Sequence, residues 1–381
     1  MVDMTAVRAR PAAVALAGWT VVWFIGTAWN GGTSWHFFVQ GAQALADLDD
    51  PVRGGLHLYA AAPVLQIGPV ALLAALLAMP WGGAGALAIW QVLGAAAGLT
   101  ILWQIRQIAI IVRPDLDRRT IDQRVAAAGL CMMPVWMFLA VGVAHLDDVL
   151  ALLFTVLGLR AVLGGRAILA GSLLGLAVDA KPWALPFACL LLLLGHGRTL
   201  LLGAAATAAV IAAAWLPFFL ADPATSNALH FTIPNTPLSA LRVLGVHDAR
   251  TPPWARAAQA VLGIVVALLA WRRGRWPAIV LLAVAARIVL DPGTNRYYVA
   301  GVVVGAALWD VLGTRGGRSW LPWWTATAWI ALFTARFVPM PDAAHGWLTL
   351  AYVLACAGIL VTPARHPSGG TRIQAAFRSV L

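Results

Sequence analysis

Glutamate does not occur in this 381-residue chain, and lysine occurs once, at Lys181. The bias matches what codon composition imposes, but it singles out Lys181. Charge of either sign is scarce: Asp, Lys and Arg together make up 11% of the residues, against 61% hydrophobic ones. Soluble domains carry about a quarter charged residues and about half apolar ones, so a soluble fold is excluded and an integral membrane protein is indicated. Cysteine is nearly missing. Cys131, Cys189 and Cys356 all fall inside apolar runs, which excludes a disulfide framework and a thiolate metal site. The formal charge of +11 is scattered over short loops with no basic patch, so nucleic acid is not an expected partner. No inverted internal repeat is visible, which weighs against a common transporter plan.

What remains is a succession of apolar runs. At roughly 20 residues per crossing, the whole chain 1–381 reads as one all-α transmembrane domain, a polytopic bundle of about twelve helices. The expected spans lie near 12–29, 84–105, 125–143, 148–163, 167–179, 183–194, 199–219, 257–271, 276–290, 298–312, 319–338 and 346–362. Arg8 and Arg10 precede the first run, which is long enough to stay as a helix rather than serve as a cleaved leader. Two regions behave differently. Residues 68–80 are apolar but short, and read as an interfacial or re-entrant helix. Residues 167–194 form two segments of about 12 residues, too short at 1.5 Å per residue for both to cross. They read as a hairpin with DAKPW (179–183) at its tip.

Cytoplasmic loops collect basic residues. With both termini inside, eighteen bases fall on the inner side: Arg8 and Arg10, five in 106–124, Arg160, Arg166, Arg198, three in 272–275, Arg315, Arg318, and Arg365, Arg372 and Arg378 in the tail 363–381. Five fall outside, Arg53, Arg242, Arg250, Arg256 and Arg296, while Lys181, Arg287 and Arg336 lie within spans. The expected location is therefore a plasma membrane, crossed many times. Nine aspartates (47, 49, 50, 147, 148, 222, 248, 291 and 342) and six histidines (36, 57, 145, 230, 247 and 345) then face outward. The large outer segments are 30–67 and 220–256, so chemistry is expected on that face.

AVGVAHLDDVLALLF (140–154) places His145, Asp147 and Asp148 between two membrane-grade runs. Asp148 fits a helix start, where carboxylates suit the exposed N–H groups. His145 and Asp147 fit a cavity, since ionisable groups in a membrane are costly and usually functional. In 33–69, Trp35, Phe38, Ala42 and Leu45 recur at helical spacing and give an amphipathic surface helix. It ends in Asp47, Asp49 and Asp50 before Pro51, an acidic turn that also reads as a solvated cap, followed by GGLHLY with His57 and Tyr59. Arg287 and Asp291 are four apart and suited to pair. Arg287, Arg296 and Arg336 either snorkel to headgroups or, with His145, hold a lipid phosphate. Lys181 belongs at a donor site or braces one, with Asp179 its nearest acid in sequence. The tryptophans gather near span ends as an interfacial belt.

The amphipathic outer segment, the HLDD cluster and the run GGRAILAGSLLGLAVDAKPWALPF (164–187) together resemble polyprenyl-phosphate-sugar-dependent glycosyltransferases of the GT-C fold, in particular the mannosyltransferase-like family 87 of actinobacteria. The resemblance covers roughly residues 10–220. It implies inverting transfer of a sugar, mannose by analogy, from a polyprenyl-phosphate donor to a cell-envelope glycolipid or glycan, with no metal and no cofactor. The family's general base is an Asp just ahead of an aromatic pair in the first outer loop. Here that place holds Ser34 in SWHFF, so the role falls to Asp47, Asp49, Asp50, His36 or Asp147, or the chain is an inactive or differently specialised relative. Asp147 is expected to be essential, with Asp148 beside it. His145, Lys181, Arg287, Arg296 and Arg336 are the expected donor-phosphate residues. Ser34, His36, His57, Tyr59, His230 and Tyr297 are the expected acceptor-side residues. DPGTNRYY (291–298) and 229–245 are candidate walls. A lipid transporter or flippase, and a non-catalytic scaffold, are the competing readings.

Overall fold

The computed structural model describes residues 10–50, 52–313 and 321–361. Among these the regular secondary structure is all helical, and the one β-bridge joins Pro234 to Arg250. The bases expected on the inner side at Arg8, Arg315, Arg318, Arg365, Arg372 and Arg378, and the tail 363–381, lie outside the described residues.

The helices are α1 (Arg10–Ala28), α2 (Trp35–Ala46), α3 (Pro69–Ala78), α4 (Gly82–Val112), α5 (Arg118–Met137), α6 (Leu146–Leu163), α7 (Ala167–Ala180), α8 (Arg198–Ala221), α9 (Ala255–Arg272), α10 (Ile279–Val289), α11 (Val299–Leu308), α12 (Trp323–Thr327) and α13 (Asp342–Val361). Five stretches are long and apolar enough to cross a membrane: Pro69–Val112, Arg118–Val143, Arg198–Ala221, Ala255–Arg272 and Asp342–Val361. The protein is thus a helical, multi-pass membrane protein. Helices α10 and α11 are almost wholly buried and, with α5 and α6, form the core. Most of α8 faces outward.

Small residues make the close contacts, as expected where lipid tails offer no hydrophobic drive between helices. A Cβ on Gly171 of α7 would lie 2.0 Å from the Gly203 carbonyl oxygen of α8. The Thr207 hydroxyl bridges the same seam, donating to the Gly171 carbonyl at 2.9 Å.

Two regions depart from the sequence reading. The break expected between 68–80 and the following span shrinks to a short 3₁₀ turn and Gly82, whose φ of 75° interrupts the α geometry. In the 167–194 hairpin, Lys181 is extended and Pro182–Leu194 winds as a 3₁₀ helix. At about 2.0 Å per residue that arm reaches roughly 26 Å, longer than an α-helix of equal length.

The two long segments 30–67 and 220–256 gather at one end of the bundle. His57 Nδ1 lies 3.3 Å from Asp222 Oδ2, and Gln66 donates to the Ala228 carbonyl at 2.9 Å. Ser34 N–H donates to the Val143 carbonyl (2.9 Å), and Thr236 N–H to that of Pro292 (3.0 Å), so the 138–148 turn and the 291–298 loop share this end. The far end holds the arginine-rich loop, with Arg106 on Asp122 at 2.6 Å and Arg113 on Asp115 at 2.8 Å.

Candidate functional site

The HLDD stretch is shaped by a helix that cannot end normally. Pro134 inside α5 removes a ladder N–H, and the helix finishes in a widened π-turn over Phe138–Val143. Ala144 follows at φ 53°, ψ 50°, the sole non-glycine residue with positive φ among those described. Left-handed backbone of this kind is strained for alanine and tends to occur at functional sites. It lets α6 begin immediately at Leu146, turning His145, Asp147 and Asp148 into the bundle.

His145 Nε2 lies 3.3 Å from Asp147 Oδ1 and 3.5 Å from Asp148 Oδ2. The Lys181 ammonium donates to Asp147 Oδ2, and the Asp148 amide donates to Asp147 Oδ1 at 2.8 Å. The Trp183 indole N–H donates to Asp148 Oδ1 at 2.8 Å. The Arg287 guanidinium sits 4.4 Å from the ring centres of both Trp183 and Tyr298, and its Nε is 3.6 Å from Asp291 Oδ2. Three carboxylates thus face Lys181, Arg287 and the imidazole. Such a buried set survives only when its charges are matched and its hydrogen bonds satisfied.

One ring atom is not satisfied. His145 Nδ1 is buried without a hydrogen-bond partner. The ring packs at a tilt of 38° on Tyr297 (centroids 4.3 Å apart) and meets the edge of Phe38 at 5.9 Å. Asp147 is 0% exposed and the His145 side chain 12%, so α2 closes over the site. Ligand atoms of His145, Asp147 and Asp148 lie within 4.8 Å of one another, a spacing that suits a cation, which sequence spacing alone did not suggest. Lys181 already supplies a positive charge there.

The expected residues therefore separate into groups. His145, Asp147, Asp148, Lys181, Arg287 and Tyr297 come together, with Ser34 beside the turn. Asp47, Asp49 and Asp50 do not join them. Asp47 and Asp50 build the local turn: Asp50 Oδ1 accepts the Val52 and Arg53 amides, each at 3.0 Å. Those amides hold its carboxyl below the usual value. His36 is exposed and packs on Phe37, while His230 contacts the Ser226 carbonyl of its own turn. His57 ties the segments 30–67 and 220–256 together at Asp222, and Tyr59 is buried, donating to the Ile67 carbonyl at 2.6 Å. Arg296 and Arg336 form a separate pair beyond Tyr297.

Asp179 is not the partner of Lys181. Its Oδ2 accepts the Val70 amide (3.1 Å) at the start of α3, where Gly68 lets the backbones touch: a Cβ there would sit 1.5 Å from the Asp179 carbonyl oxygen. The sequence reading also missed the roles of Trp183, counted among the belt tryptophans, and of Tyr298, placed only in the candidate wall 291–298. The signal available for Trp183 was its place directly after Lys181-Pro182 at the hairpin tip. Comparison with known protein families, with curated proteins and with solved structures finds no match for this chain.

Proposed function

We propose that the chain is a membrane glycosyltransferase of the GT-C type, with about twelve transmembrane helices and both termini cytoplasmic. It moves a sugar, mannose by resemblance, from a polyprenyl-phosphate donor to a glycolipid or glycan acceptor at the outer face of the plasma membrane, without metal or cofactor. One observation carries the reading: an imidazole whose Nε2 faces two buried carboxylates while its Nδ1 has no partner.

With both carboxylates ionised, Nε2 holds the proton and Nδ1 is the acceptor. A carboxylate-oriented imidazole of this kind is a general base. The acceptor oxygen bonds to the anomeric carbon as its proton passes to Nδ1. The bond from that carbon to the phosphate oxygen breaks, and its electron pair leaves on the lipid phosphate. Asp147 and Asp148 stabilise the imidazolium, while Lys181 and Arg287 bring positive charge toward the departing phosphate. On this reading His145 takes the role for which Ser34 offers no acid, and Phe38 moves aside to admit the acceptor. Catalysis by a fixed positive environment needs no metal.

A transporter is the second reading, favoured by the lysine at the break of a helical hairpin. Purified protein given a radiolabelled polyprenyl-phosphate sugar and a glycolipid acceptor separates them. Transfer that falls at least a hundredfold in His145→Gln and Asp147→Asn supports the enzyme. Substrate movement across vesicles without transfer overturns it.

A further inference from the structure

Arg296 and Arg336 hold each other's loops. Arg296 Nη2 donates to the backbone carbonyl of Arg336 and Arg336 Nη1 to that of Thr294, both at 3.2 Å. This reciprocal clasp sets two guanidinium groups close together. Neither forms an ion pair with a carboxylate among the described residues, and Asp342, at the start of α13, pairs with neither. A guanidinium has five N–H donors, so a single carbonyl leaves most of each fork unused. Two like charges held together without an acid are stabilised by a bound anion, and the fork geometry of arginine suits phosphate oxygens.

The surroundings select the kind of phosphate. The Arg296 guanidinium lies 4.3 Å from the Phe337 ring centre. Phe337 and Val338 are themselves 52% and 50% exposed, at the end of the helical run that starts at Trp323. Positive charge beside uncovered apolar surface fits an amphiphile with an anionic head and apolar tails. We propose that Arg296 and Arg336 form a second phosphate site, distinct from the His145 cluster, that holds the headgroup of an anionic phospholipid.

The site does not depend on sugar transfer, and its test uses none. Full-length protein in detergent is titrated with phosphatidylglycerol, with diacylglycerol of the same chains, and with inorganic phosphate, and bound ligand is read by native mass spectrometry. Phosphatidylglycerol binds, diacylglycerol does not, and inorganic phosphate competes only weakly. Arg296→Gln/Arg336→Gln lowers phosphatidylglycerol affinity about tenfold or more. Arg296→Lys/Arg336→Lys keeps the charge but not the fork and retains part of it. Arg250→Gln, an outer-loop arginine bonded to Thr232, changes nothing. Unchanged phosphatidylglycerol binding in the folded glutamine variant overturns the site, as does equal binding of diacylglycerol. Inorganic phosphate binding as tightly as phosphatidylglycerol overturns the lipid and leaves a free-anion site. If the glutamine variant does not fold, the lysine variant and the phosphate competition on the parent protein decide.

Discussion

Asp147 and Lys181 lie 34 residues apart and meet inside the bundle. Breaking a buried ion pair on one side leaves the other charge stranded, at a cost of about 3–5 kcal/mol. Lys181→Met and Asp147→Asn are therefore each expected to lower the thermal midpoint in detergent, whereas the double variant regains much of the loss. Strictly additive losses contradict the pairing. This pair was half legible in the sequence. A lone lysine in an apolar chain had to have a partner, and the local acid Asp179 was the nearest in number. The extended backbone at Lys181 turns the side chain away from α7, and Asp179 is already held by Val70. Pro182 and the hairpin tip gave the break in the sequence, but not the direction in which it turns Lys181.

The helices were far more legible than their winding. Apolar run length and the glycine, proline and arginine punctuation between runs locate nearly every helix to within a few residues, because hydrophobicity and backbone breakers act locally. The 3₁₀ stretch Pro182–Leu194 and the π-turn Phe138–Val143 were not foreseeable, since Pro134, Pro182 and Pro186 mark breaks in the ladder but do not say which winding follows. The two long segments 30–67 and 220–256 are joined by His57 and Asp222, and here pH acts. The Ala224 amide, and then His57, hold the Asp222 carboxyl below its usual value. A depressed carboxyl stabilises the fold above its unfolded value and loses that contribution as pH falls through the folded one. The protection factors of the 224–230 amides, corrected for intrinsic exchange, are expected to fall as pH drops below the ordinary carboxylate range. In Asp222→Asn that pH dependence disappears, and protection factors that do not change with pH in the parent chain dismiss the tie.

At the level of the whole molecule, acids and histidines concentrate at the end that carries the long segments, and arginines at the other. The orientation drawn from that asymmetry has a direct check. Asp49 and Arg118 are both exposed, at opposite ends. In intact cells a membrane-impermeant maleimide is expected to label Asp49→Cys at once, and Arg118→Cys only after permeabilisation. The reverse pattern inverts the topology and places the His145 cluster on the cytosolic side. Charge distribution in the sequence supplies the expectation of sidedness that this labelling tests, whereas the closed state of the cluster was not legible, because it depends on Phe38 and Tyr297 packing from distant segments.

The solitary lysine has one more consequence. Apart from the α-amino group, the chain offers amine-reactive reagents a single target, and that target is shielded at the hairpin tip and neutralised by Asp147. Acylation at position 181 therefore acts as a clock for how often the bundle opens. Any compound that props the entrance ajar quickens it, and any compound that fills the entrance slows it.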